Sequence, residues 1–289
     1  MHSSFATPHH SFVKPAFALG LLLLIACPVH PQANEAVVSD VAVLTIHVRD
    51  TNIHDVVFHF LTDVLRLPTD YGPVMMGERR YAAVYAGNLF IEPCGPYTNM
   101  RYPVRDFKAL FFGLNCRSDK TAPAIAAHLD GLKLPSEKPG PGVFRVQDTS
   151  IGEGIYFAID TQPRTKADEE KEASLASAFA ANQRGGPGLE YVKEIWLGYA
   201  EPAQLEAWRE FLGPSAETDA TIWKLTKSQS IRFVNSEIRG VRGIVFKVRS
   251  MEAAGRFLRE RKCDWRLVNG RMELDKANTL GLTILVTDE

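Results

Sequence analysis

One order of elements returns four times along this chain, and it limits the fold more than any single motif does. Residues 43–48 (VLTIHV) alternate in character as a strand does. Asp50-Thr51-Asn52 supplies helix-capping side chains, and Ile53, Val56, Val57, Phe60, Leu61, Val64 and Leu65 follow at helical spacing. Leu67-Pro68 ends that helix, because proline has no amide hydrogen to continue it. Residues 80–85 and 88–92 then read as strands, with Ala86-Gly87 turning the chain between them. The order is β-α-β-β, with or without one more strand.

It recurs as strand 110–116, helix 121–132 and strands 144–146 and 155–160. A third copy has strand 195–199, helix 203–212 and strands 222–225 and 230–234. The fourth has strand 243–248, helix 251–262 and strands 265–268 and 282–287. Copies spaced by roughly 50 to 80 residues are an internal repeat of a supersecondary unit, which predicts an α+β protein. Between the second and third copies lies a charged, Ala-rich stretch ending in Arg184-Gly-Gly-Pro-Gly188. It reads as a solvated, partly helical linker, 164–189, separating domains at 41–163 and 190–289. A length of 289 residues fits that division.

The start of the chain carries an address. An apolar run over 16–26 follows Lys14, with no acidic residue before it. As a helix it rises only about 16 Å, about half of a bilayer core, so it reads as a secretory signal peptide within 1–36 and not as a membrane span. Leu24-Ile25-Ala26-Cys27 resembles a bacterial lipobox, while cleavage near Ala33 or Ala36 is the alternative. The protein is therefore expected to be exported, periplasmic or extracellular, touching a membrane only through a lipid on Cys27. In an oxidising compartment Cys94 and Cys116 could pair, which spacing alone does not decide. With 33 Lys+Arg against 34 Asp+Glu, a dedicated nucleic-acid binder is excluded.

The stretch Leu44-Thr-Ile-His-Val-Arg-Asp50, followed by Phe58-His-Phe60, Val64-Leu-Arg-Leu-Pro68 and Leu89-Phe-Ile-Glu92, resembles the vicinal oxygen chelate superfamily. Glyoxalase I, bleomycin-resistance proteins and extradiol dioxygenases belong to it. The resemblance covers the first unit by its residues and the other three by pattern. It implies four βαβββ modules, paired into two open barrel-like domains around one site each.

The resemblance also implies a divalent metal, held by imidazole nitrogens or carboxylate oxygens from separate strands. The family places one ligand on each module's first strand, seven residues before the helix-capping acidic residue, and another in the last strand. Carried onto this chain, these positions are Val43 and Glu92, then Phe111 and Asp160. In the second domain they are Glu194, Arg232, Gly243 and Leu285. Val43, Phe111, Gly243 and Leu285 offer no ligand atom, and Arg232 repels a cation. The usual metal site therefore reads as degraded.

His47 complicates the first domain. It lies four residues beyond Val43, so strand alternation puts both on one face. His47, Glu92 and Asp160 would form a displaced metal site of one imidazole and two carboxylates. The alternative makes His47 a packed or pocket-lining side chain. His54 and His59 read as surface or packing residues, and the tryptophans of the second domain as core. Tyr81, Tyr85 and Phe90 suit an aromatic lining or the core.

Two functions follow from the resemblance. In the first, a small molecule binds in the first barrel, with Glu92 and His47 as the reactive groups and Tyr81, Phe90 and Asp160 as contacts. In the second, a metal-dependent lyase, isomerase or dioxygenase works through His47, Glu92 and Asp160. The second domain then serves as structure or as a homodimer surface.

Overall fold

Strand β1 (Asp40–Val48) sends Leu44, Ile46 and Val48 into the core, while Val43, Thr45 and His47 point the other way. The computed structural model describes residues 36–97, 106–146, 156–213 and 219–289, all within one compact unit. The apolar run and Cys27 lie outside the described residues. Among the described residues no helix is long and apolar enough to cross a membrane.

Helix α1 (Thr51–His59) begins where the sequence places it: the Ile53 amide donates to the Asp50 carboxylate at 2.8 Å. It runs on into one π-helical turn, Phe60–Val64. Strands β2 (Thr69–Met76), β3 (Arg79–Tyr85) and β4 (Phe90–Gly95) complete the module. The second module has β5 (Ala109–Arg117), α2 (Ala122–Gly131), β6 (Ser136–Gly140), β7 (Val143–Val146) and β8 (Tyr156–Asp160). Together they form a sheet of order β2-β3-β4-β1-β5-β8-β7-β6. The first strands β1 and β5 pair antiparallel at its centre, each with its module's last strand parallel beside it.

Helix α3 (Lys166–Arg184) leads to the second sheet. Its strands are β9 (Leu189–Tyr199), β10 (Ile222–Lys224), β11 (Ser230–Asn235), β12 (Gly240–Val248), β13 (Trp265–Val268), β14 (Arg271–Leu274) and β15 (Ile284–Thr287). Their order, β10-β11-β9-β12-β15-β14-β13, repeats the first plan with one strand fewer. Helix α4 (Pro202–Leu212) packs on β9, and α5 (Met251–Glu260) brings Gly255 against the Trp265 and Met272 side chains. Strand β14 escaped the sequence reading, although Asn269-Gly270, both at positive φ, is a strong hairpin signal. The fold is thus α+β, built from four modules in two open sheets.

The hydrophobic core runs through both sheets. Phe157 of β8 packs edge-on to Trp208 and Phe211 of α4, and His128 on α2 bonds the Phe211 carbonyl at 2.9 Å. Two amides tie the sheets in a reciprocal way. Asn88, before β4, exchanges two 3.0 Å hydrogen bonds with the Val192 backbone on β9. Gln229, before β11, accepts from the Val41 amide at 2.7 Å and donates to its carbonyl at 3.2 Å. Each side chain stands in for a missing strand partner.

Candidate functional site

The concave face of the first sheet encloses a cavity of about 540 Å³. Its floor is Val43, Phe90 and Ala158, with Glu92 and Asn115 beside them. Its roof is the beginning of α3, the stretch expected to be a solvated linker. Thr165, Asp168, Lys171 and Glu172 line the cavity at helical spacing, and Phe179, one face further on, packs edge-on against Tyr85. The helix starts in a capping box, in which Thr165 and Asp168 satisfy each other's backbone amides. One ion pair fastens it to the sheet, Lys171 to Asp70 at 2.6 Å, while Glu172 holds Arg164 of the preceding loop at 2.5 Å and lies 4.0 Å from Arg117 on β5. Gln183 secures its far end, donating to the Leu65 carbonyl at 2.9 Å.

Inside the cavity Glu92 is the most consequential group. Burial pushes its carboxyl above the usual range, and the hydrogen bond from Tyr71, 2.6 Å, partly offsets that. The cause is desolvation, and Asp160 plays no part in it. Asp160 sits at the far end, accepting from the Gln162 amide at 2.8 Å. The register explains the separation. Glu92 stands opposite Thr45 on β1, and Thr45 opposite Gly113 on β5, whose own partner on β8 is Tyr156. Asp160 is four residues beyond Tyr156 on β8, or about 13 Å along the strand.

His47 lies the other way, opposite Cys94. Its ring is stacked between Tyr97 and Phe112, with centroids 4.2 and 4.0 Å away. Burial first, then the charge of Arg79, lowers its pKa to about 3, so at neutral pH it is an uncharged packed ring and no cationic partner for Glu92. His47, Glu92 and Asp160 do not meet. Tyr81 also stands outside the cavity lining, bonded to the Tyr97 hydroxyl at 3.1 Å, whereas Phe90 is part of the floor. Phe111 faces the core opposite Ile46, because bulges in the β1–β5 pairing shift the faces; Asn115, opposite Val43, is the cavity-lining residue there. The residues the sequence reading missed are Tyr71, Asn115, Arg117 and the α3 side chains.

Cys94 and Cys116 are both free and buried, opposite His47 and Val41 respectively, so about 20 Å of strand rise separates their levels and no disulfide joins them. Burial raises the Cys94 thiol to about 12, which leaves it unreactive.

In the second sheet a smaller cavity of about 350 Å³ has its carboxylate tied up by arginines of the same sheet. Glu194 receives Arg271 through two bonds of 2.8 Å, Arg232 at 2.9 Å and the Trp196 indole at 3.0 Å. Burial works against its ionisation, but the two guanidiniums win and hold its pKa at about 2. Gly243 has no room for a side chain, since a Cβ would lie 2.9 Å from the Thr283 carbonyl oxygen.

At the position where the resemblance would place a metal ligand in the second sheet, the carboxylate is already engaged. Both Glu194 oxygens are bonded to guanidiniums, which a divalent cation would have to face at contact distance. Among the described residues no three His, Cys, Asp or Glu side chains group to hold a metal ion.

No family model and no curated protein matches the chain. Solved structures do. A catechol 2,3-dioxygenase matches with TM-score 0.56 at 12% identity, over 87% of this chain and 88% of that one. The Mn(II)-bound glyoxalase from Novosphingobium aromaticivorans matches with TM-score 0.53 at 13% identity, over 88% of this chain and 83% of that one. A mutant of 4-hydroxymandelate synthase from Streptomyces coelicolor matches with TM-score 0.56 at 11% identity, over 86% of this chain and 92% of that one. Glyoxalases and extradiol dioxygenases define the vicinal oxygen chelate fold, and this chain has that fold in two tandem sheets.

Proposed function

We propose that this is an exported small-molecule-binding protein whose site is the roofed cavity of the first sheet. The observation that carries the reading is Glu92: a half-buried carboxylate, bonded to Tyr71, on the wall of a cavity large enough for a compact organic molecule. Such a carboxylate suits a ligand that brings its own hydroxyl or amino donor. Its pKa, raised by burial, also makes it a better proton acceptor than a solvent-exposed carboxylate. Asn115 and Arg117 offer further polar contacts, and Phe90 and Val43 an apolar bed.

The metal-dependent lyase, isomerase or dioxygenase that the fold suggests is the reading to test against. Metal analysis of the purified chain, paired with a Glu92→Gln variant, separates the two. The proposal expects no near-stoichiometric divalent metal. It expects ligands found by screening to shift NMR signals of Glu92, Asn115 and Phe90, and to lose affinity in Glu92→Gln. Near-stoichiometric metal that disappears in the variant would overturn it. Export is tested by expression with the native N-terminus in a bacterial host. Cleaved protein outside the cytoplasm is expected, and loss of membrane association in Cys27→Ala would identify the lipid.

A further inference from the structure

Strand β12 carries one residue more than its partner can match. Val241 pairs with Leu197 and Gly243 with Trp196, so Arg242 faces no residue of β9 and the strand bulges there. A bulge of this kind re-aims the side chain it carries. Space for the Arg242 stem comes from Gly198: a Cβ there would lie 2.8 Å from Arg242 Cγ, and 2.4 Å from the Ile238 carbonyl oxygen. The backbone is thus shaped around one arginine.

Arg242 lines a second cavity, about 410 Å³, bounded by the beginning of β5 on one side and the second sheet on the other. Lys108 and Lys276 stand at its exposed rim, and Leu110, Leu280 and Leu282 form apolar walls. The acid among its lining residues, Asp106, pairs with Arg49 at 3.8 Å. Arg242 is half-buried, and among the described residues no carboxylate, carbonyl or ring partners its guanidinium. Burial alone pulls its pKa below the arginine norm, with no neighbouring charge acting on it. A desolvated cation without a counter-ion is costly, and a supplied anion relieves that cost.

We infer that this cavity binds the carboxylate of a small organic acid, with the Arg242 fork on the carboxylate and the leucine walls on the hydrocarbon body. Arginine meets a carboxylate through two parallel N–H bonds, a geometry lysine cannot copy. Lys108 and Lys276 add attraction at the mouth without fixing orientation. This site is separate from the first-sheet cavity and carries the opposite sign of charge on its central group.

The test is titration of the full chain with benzoate, and separately with inorganic phosphate, by calorimetry and residue-resolved NMR. Saturable benzoate binding is expected, with shifts at Leu110, Val241 and Gly281 and none at Glu92 or Asn115. Arg242→Met should weaken it by at least about tenfold while keeping a cooperative thermal transition. Lys276→Gln should weaken it by about twofold to threefold. Should Arg242→Met fail to fold, Arg242→Lys keeps the charge and removes the fork, and the same weakening is expected. Three results would each overturn the inference: no saturable benzoate binding, equal affinity in the arginine variant that folds, or phosphate binding as tightly as benzoate.

Discussion

The Tyr71 hydroxyl reaches the Glu92 carboxylate at 2.6 Å although their strands, β2 and β4, are separated by β3. Two strand spacings, about 10 Å, are bridged by the long tyrosine and glutamate side chains reaching over β3. The bond holds Glu92 partly ionisable against its burial. Tyr71→Phe should therefore raise the Glu92 pKa further, seen by carboxyl ¹³C titration, and cost about 1–2 kcal/mol in chemical denaturation. Because the folded pKa lies above the unfolded one, the native state binds this proton more tightly than the unfolded state. The penalty is absent below the unfolded carboxylate range and complete above the folded pKa. Glu92→Gln should accordingly gain stability relative to the native chain as pH rises from 4 to neutrality; a constant difference would contradict this.

Glu194 presents the reverse case. Its folded pKa of about 2 lies below the unfolded value near 4.5, so its stabilisation is present above about pH 4.5 and is lost as pH falls through about 2. Glu194→Gln leaves Arg232 and Arg271 facing each other without an anion. We expect a loss of about 3 kcal/mol at pH 7, the scale of breaking a buried ion pair from one side. Pairing Glu194→Gln with Arg271→Met should recover part of that loss, which a double-mutant cycle measures.

For His47 the prediction concerns acid sensitivity. A histidine whose pKa falls to about 3 on folding contributes stability that is complete above about pH 6.5 and declines between there and pH 3. The slope is about 1.4 kcal/mol per pH unit for one proton. His47→Phe keeps a ring between Tyr97 and Phe112 and removes that proton. The variant should be relatively more stable at pH 5 than at pH 7.5, and equal differences at both would show that His47 does not titrate as described.

Gln229 and Asn88 each exchange two hydrogen bonds with the other sheet's backbone. Replacing Gln229 by Ala strips the buried Val41 amide and carbonyl of their partner, at a cost of about 1–3 kcal/mol. Since one core spans both sheets, we expect a single unfolding transition at lower temperature. Two resolved transitions in calorimetry would instead show that the sheets fold as separate domains.

How much of this was legible in the sequence depends on the range of the interaction. The four β-α-β units, the Asp50 cap and the helix starts at 122, 202 and 251 are written in side-chain spacing, because a helix or strand buries one face and capping is satisfied within a few residues. Phe90 and Glu92 could be placed on one wall for the same reason: they alternate along one strand. Other features lay beyond that reach. Bulges in β1, β5 and β12 reset which side chains face inward, so Phe111 turned to the core and Arg242 into a cavity. A bulge answers to cross-strand packing and leaves no local period. The charged composition of 164–189 concealed a roof, since its stripe of Asp168, Lys171, Glu172 and Phe179 gains meaning only against Asp70, Arg117 and Tyr85. His47, Glu92 and Asp160 looked like one site because strand faces are legible in sequence and strand levels are not. Alternation told which way each side chain points, while the tertiary register, fixed by how four strands pack and curl, decided that they stand too far apart to act together.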